Sequence, residues 1–147
     1  MGVLDESVPG AAHALERLGS DELVWITTVR ADGQPQSSCV WFHWSGSDFL
    51  VLSQPTAPKL RNVAGNPLVS LHLDSDGRAG DLVIVEGEAE VLAEWKVQQW
   101  PGSDRIAAYY AKYERTLREV LRSTAEEMGS AFSSALRIVP TRWRVAP

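Results

Sequence analysis

Between Leu23 and Leu92 the chain repeats one pattern, a short run of β-branched, aromatic and aliphatic residues followed by a cluster of turn formers. LVWITTV leads into ADGQP, SSCVWFHW into SGSD, FLVLS into QPTAP and LVSLHLD into SDGRAGD, and LVIVEGEAEVL closes the series. Runs of this length suit pleated, half-buried backbone, while the glycines, prolines and aspartates between them set the reversals. Asp32 and Gly33 mark a hairpin, and the spacing predicts a three-strand meander from Leu23 to Ser53. Gly87, inside the longest run, reads as a bulge or bend. Strands in this number need their edges closed or covered, which argues for a closed or split barrel.

Helical periodicity occurs at the margins and once in the middle. Ala12, Leu15 and Leu18 stand at helical spacing ahead of Gly19 and predict a helix over 9–19. In QPTAPKLRNVAGNP, Thr56 is read as the cap and Pro58 as a first-turn residue. Leu60, Val63 and Ala64 then share a face, and Gly65 and Pro67 end the helix. From Trp95 the period is 3.6 again, as two helices or one bent helix over 104–128. Ile106, Tyr109, Tyr110 and Tyr113 form its apolar stripe, followed by Leu117, Val120 and Leu121. ALRIVPTRWRV reads as a strand pair interrupted by Pro140. A length of 147 residues suits one core. The expectation is a single domain over 1–147, mainly β with peripheral α: helix 9–19, barrel 23–94, helical segment 95–128 and C-terminal strands 133–146.

Composition removes several function classes. The net charge is -5 and no run of like charges occurs, which argues against a nucleic-acid partner. MGVLDESVPG has neither a basic nor an apolar leader region, and no stretch approaches the ~20 apolar residues that span a bilayer. No membrane association and a cytoplasmic location are therefore expected. Cys39 is the single cysteine, so an internal disulfide and a multi-cysteine zinc site are excluded; on a strand it reads as a small buried hydrophobe. His13, His43 and His72 are scattered without metal-ligand spacing, and no metal site is expected. Ser37, Ser38 and Ser53 lack the G-x-S-x-G elbow, and neither G-x-G-x-x-G nor G-x-x-x-x-G-K occurs.

The segment from Ser53 to Pro67 offers another kind of anion site. A strand ends, a proline-punctuated loop follows, and Lys59 and Arg61 fall in the first turns of a helix. The free N–H groups and the dipole at such a helix start favour an anion, and two cationic side chains add to that preference.

FLVLSQPTAPKLRNVAGNP, after GQPQSSCVWFHW and before LVSLHLD, resembles the pyridoxamine-phosphate-oxidase-like split-barrel flavoproteins, over roughly half the chain from Leu23 to Leu92. The resemblance implies an FMN-binding type of barrel and a homodimer with cofactor at the subunit interface. It also implies that Lys59 holds the cofactor phosphate, while Ser53 and the strand residues Ser38, Cys39, Val40, Trp41 and Phe42 face the phosphate or ring. Several positions depart from the vitamin-phosphate oxidases. Ser38 and Pro58 stand where those enzymes have arginines, His43 where they have a lysine and Leu82 where they have a glutamine, and their C-terminal arginine motif is absent. A dianionic substrate phosphate would lose its charge-assisted hydrogen bonds, which disfavours that reaction.

VRADGQPQSS followed by VWFHW and PKLRN is similar instead to the deazaflavin-dependent branch, actinobacterial reductases that use coenzyme F420. Members of that branch commonly carry proline at the position of Cys39. The resemblance implies that Lys59, Arg61, Asn62 and Arg78 contribute to binding the coenzyme, its phosphate and its acidic tail. It also implies hydride transfer to an electron-poor small-molecule substrate, an enone, quinone or tetrapyrrole. Trp25, Trp41 and Trp44 are candidate walls, and Tyr109, Tyr110 and His72 candidate proton donors; no catalytic residue is assigned. FMN is the alternative cofactor, and a non-catalytic flavin- or haem-binding protein, with His43 or His72 on iron, is the alternative class.

Overall fold

The computed structural model describes residues 3–99 and 103–147; the part of the expected helical segment at residues 100–102 lies outside the described residues. Among the described residues seven strands form one antiparallel sheet: β1 (Leu23–Val29), β2 (Pro35–Trp41), β3 (His43–Trp44), β4 (Phe49–Ser53), β5 (Leu68–His72), β6 (Leu82–Leu92) and β7 (Ser134–Ala146). Their order is β2-β1-β5-β6-β7-β4-β3, and the sheet curls into a half-open split barrel, as the alternating pattern predicts. Around it lie α1 (Ala11–Ser20), α2 (Pro58–Gly65), α3 (Glu94–Gln99), α4 (Ser103–Lys112), α5 (Glu114–Thr116) with a π-helical continuation (Leu117–Leu121), and α6 (Ala125–Ala131).

The first hairpin forms as expected. β1 and β2 pair from Leu23↔Trp41 to Val29↔Pro35. The turn closes through Gly33 N–H on the Arg30 carbonyl at 2.9 Å, with Gly33 at φ 88, where a side chain would be strained. The expected meander stops there, because SSCVWFHW is two strands with a corner at Phe42. Instead of a neighbouring strand, the Tyr113 hydroxyl accepts the Phe42 N–H at 2.8 Å, and the Lys112 ammonium donates to the Phe42 carbonyl at 3.0 Å. With its peptide groups satisfied by side chains, the backbone can leave the ladder. β4 then pairs with β7, Phe49 opposite Ile138, at the far side of the sheet.

Two cores use opposite faces of that sheet. Phe49 and Val51 join Val24, Ile26, Phe42, Leu71, Val85, Ile138 and α1 in the first, and Leu50 and Leu52 join Tyr109, Tyr110, Tyr113, Leu117 and Leu92 in the second. FLVLS is buried at every position for this reason.

Several local expectations need correction. α1 buries Ala11, Ala14 and Leu18 while Ala12 is exposed, because Arg17 docks on the carbonyls of Asp74 and Asp81 and turns the helix. Ala57, in extended conformation, caps α2 in place of Thr56, and Pro58 occupies its first turn; Ala64 is exposed. The C-terminal strand pair is one long strand, which keeps pairing with β6 through a register shift at Glu86/Gly87 opposite Pro140. Pro140 fits because the bulge removes the ladder bond its ring cannot donate. Val120 and Leu121 do not continue the apolar stripe and are 72% and 48% exposed, since the π-helical turn rotates them outward.

Candidate functional site

β2 lies at one edge of the sheet and pairs only with β1, so alternate backbone N–H and C=O groups along it have no sheet partner. Against this edge lies a cavity of about 380 Å³, lined by Ser38, Cys39, Val40 and Trp41 of β2, Leu52 of β4, Tyr109 and Tyr110 of α4, and Phe132 beyond α6. Lys59 is on its wall. Pro58 sets the first turn of α2, and Leu60, Asn62 and Val63 anchor the helix to the barrel; that places Lys59, on the neighbouring face, at the cavity. The ammonium is half-buried, has no carboxylate partner among the described residues, and is pushed below the usual lysine pKa by burial.

The residues expected at the site separate into two groups. Ser38, Cys39, Val40, Trp41 and Lys59 line this one cavity. Cys39 is exposed and not the buried hydrophobe expected, because an edge strand leaves its side chain uncovered. Phe42 is wholly buried at the β2–β3 corner. Ser53 is also buried, its hydroxyl donating to the Gln54 carbonyl at 3.0 Å. The Asn62 amide donates to the Thr28 hydroxyl and the Gln36 side-chain Oε1 at 3.0 and 2.9 Å, tying α2 to the hairpin. Arg61 points away from Lys59, into a separate polar cavity of about 880 Å³ shared with Arg30 and Asp32. The two side chains are two residues apart on a helix and so take opposite faces. Arg78 is exposed in the β5–β6 turn, at the opposite end of β5 from α2.

The sequence assigns no wall role to Leu52, Met128 or Phe132, and offers the tyrosines as an apolar stripe, with Tyr109 and Tyr110 also candidate proton donors. They do form core: the Tyr109 hydroxyl accepts the Leu52 N–H at 3.3 Å. Their cavity faces depend on how α4 and α6 pack, which spacing alone cannot give. Of the candidate walls, only Trp41 lines the cavity; Trp44 packs on Phe49 and Trp143, and Trp25 lies on the outer face beside His72, which is exposed. His43 accepts a hydrogen bond from Arg105 Nε at 2.8 Å; burial, then Arg105 and Lys112, holds its pKa below the ordinary histidine value. Among the described residues no group of three His, Cys, Asp or Glu side chains is placed to hold a metal, and no helix is long and apolar enough to cross a membrane.

A curled antiparallel sheet with an aromatic cavity at its β2 edge and a lysine from α2 on the wall defines a split-barrel protein. Residues 11–145 match the family model described as Pyridoxamine 5'-phosphate oxidase, and the chain belongs to that family. No curated protein matches it in sequence. Among solved structures it is similar to an F420 reductase, with TM-score 0.63 and 21% identity over 88% of this chain and 94% of that one. It is similar also to HutZ, the heme storage protein of Vibrio cholerae, with TM-score 0.66 and 18% identity over 92% and 93% of the two chains. A conserved hypothetical protein of Mycobacterium tuberculosis gives TM-score 0.71 and 20% identity over 98% of this chain and 85% of that one. At these identities the likeness is one of fold.

Proposed function

We propose that the chain is an F420-dependent oxidoreductase, which holds the deazaflavin coenzyme at the Lys59 cavity and reduces an electron-poor enone, quinone or tetrapyrrole. Lys59 carries this reading: it is a half-buried cation with no carboxylate partner among the described residues, on the wall of a cavity otherwise formed by aromatic and apolar side chains and an edge strand. An ammonium drawn out of water is stabilised by an anion, and the aromatic walls suit a planar ring. The same residues accept the phosphate of FMN. The resemblance of VRADGQPQSS, VWFHW and PKLRN to the deazaflavin branch favours F420. None of the three histidines lines this cavity, so no observation favours haem there.

The coenzyme supplies the hydride when bound. The protein's part is to bind and orient. Lys59 would pair with the coenzyme's anion, the unpaired backbone groups of β2 would offer it hydrogen bonds, and Trp41, Tyr109 and Tyr110 would exclude water from the cavity. The reading includes a homodimer with the coenzyme at the seam. Supporting it, Leu23 and Leu121 border the cavity at 46% and 48% exposure, an apolar rim suited to a second subunit.

The test is a fluorescence titration of wild type and Lys59→Ala with coenzyme F420 and with FMN, together with the mass in solution. Expected are saturation by F420 at lower concentration than FMN, weaker binding by the variant, and a dimer. Reduced F420 and a quinone should then turn over more than once per chain. A single turnover would leave only a binding protein, and equal affinity of the variant would move the anion site elsewhere.

A further inference from the structure

A second cavity, of about 780 Å³, lies beneath α3–α6 on the far side of Leu52, Tyr110 and Phe132, which line both spaces. Its inner surface is apolar, with Val97, Ile106 and Leu117 beside those three residues. One unmatched polar atom lies just beneath that surface. The Tyr110 side chain is 7% exposed, and its hydroxyl is the single buried side-chain oxygen or nitrogen among the described residues with no hydrogen-bond partner. Its neighbours differ: the Tyr109 hydroxyl takes the Leu52 N–H, and the Tyr113 hydroxyl takes the Phe42 N–H. A Cβ built on Gly129 of α6 would come within 3.9 Å of the Tyr110 oxygen, so the hydroxyl lies at the wall that α6 contributes to this cavity.

A phenylalanine would fill the same space without burying an unmatched hydroxyl, so the oxygen calls for a bound atom that matches it. Burial raises the phenol's pKa, which keeps it a hydrogen-bond donor at neutral pH. The mouth carries Glu94, Glu114 and Glu126 against Arg118, a balance that opposes anions. Volumes of this size accommodate small organic ligands. We propose that this cavity binds an uncharged apolar small molecule carrying one hydrogen-bond acceptor, a carbonyl or ether oxygen that receives the Tyr110 proton. The site is separate from the coenzyme cavity and does not depend on which coenzyme binds there.

The probe is Nile red, a neutral carbonyl-bearing dye whose emission rises and shifts to the blue in apolar surroundings. Wild-type protein should bind it saturably at one dye per chain. Tyr110→Phe should weaken binding about fivefold to tenfold, the loss of one hydrogen bond. Gly129→Leu should abolish it by filling the space, and if that variant melts early, Ala125→Phe at the same lining supplies the block. Lys59→Ala should bind the dye like wild type while losing affinity for F420, so the two sites fail separately. The proposal is overturned by absence of saturable binding, by equal affinity in Tyr110→Phe, by unchanged binding in a folded blocking variant, or by loss of the dye in Lys59→Ala.

Discussion

The indole of Trp41 lies flat on the phenol of Tyr113, with ring centroids 4.1 Å apart and planes 3° from parallel. Trp41 is the last residue of β2 before the corner, and Tyr113 is the side chain that satisfies that corner, so one contact fixes both the cavity wall and the path of the chain. The Tyr113 hydroxyl accepts the Phe42 N–H and has the Glu22 and Phe42 carbonyls at 2.7 and 2.9 Å for its own proton.

Tyr113→Phe keeps the ring stack and removes the hydroxyl, leaving the Phe42 N–H buried and unpaired. The expected cost is about 1–3 kcal/mol of folding stability, read as a lower urea midpoint with an unchanged slope. Coenzyme affinity should fall by less than it does in Lys59→Ala, because Trp41 keeps its stacking partner.

Lys59→Ala should weaken an anionic coenzyme by ~1.5–3 kcal/mol, the range for a charge-assisted hydrogen bond, with little effect on the melting temperature. The pH dependence has a definite sign. Burial places the pKa of free Lys59 below the ordinary lysine value of 10.5, so the cation is lost earlier than usual as pH rises. Wild-type affinity should therefore begin to decline at a lower pH than an ordinary lysine would set, and Lys59→Ala should not follow it. Titrations at several alkaline pH values compare the two directly.

Strand content, the first hairpin, α2 and the bulge at Gly87 were legible because each depends on local chemistry: β-branched runs, Asp32-Gly33, Pro58 in a first turn, and a glycine within a strand. What was lost depends on distant partners. Nothing local marks Phe42 as a corner, since the atoms that satisfy it come from Lys112 and Tyr113, 70 and 71 residues away. The site divides along the same line. Lys59 and the β2 residues, brought together by the family resemblance, share a cavity, whereas Arg61 and Arg78, joined to Lys59 by the same resemblance as cations for an acidic tail, are carried elsewhere by helix geometry and strand direction.

Gly87 lies where β6 and β7 slip register, and a Cβ there would stand 2.8 Å from both Ile138 Cγ2 and the Val139 carbonyl oxygen. The carbonyl belongs to the ladder and cannot rotate away. Gly87→Val should therefore cost at least the ~1–3 kcal/mol of an overpacked core, measured by denaturant unfolding. Wild-type stability in this variant would refute the close approach.

Asp48 is 92% buried at its side chain, with 8% exposed, and is paired with Arg105 at 2.6 Å and Arg137 at 2.8 Å. Burial pushes its pKa up, but hydrogen bonds from Arg105 and Ser45, the Arg105 charge and the Arg137 hydrogen bond together pull it below the ordinary 3.8. The pair thus contributes stability that is fully present above about pH 4 and is lost as pH falls through the lowered folded-state value. Asp48→Asn leaves two arginines without their shared anion and should cost about 3 kcal/mol at pH 7. Because the neutral amide cannot titrate, the gap between wild type and Asp48→Asn should close as pH drops below 4, with wild type alone losing this contribution. Urea midpoints of both proteins at pH 7, 5, 4 and 3 measure the difference. A gap that stayed constant down to pH 3 would mean that the Asp48 carboxylate is not held below its ordinary pKa by Arg105 and Arg137.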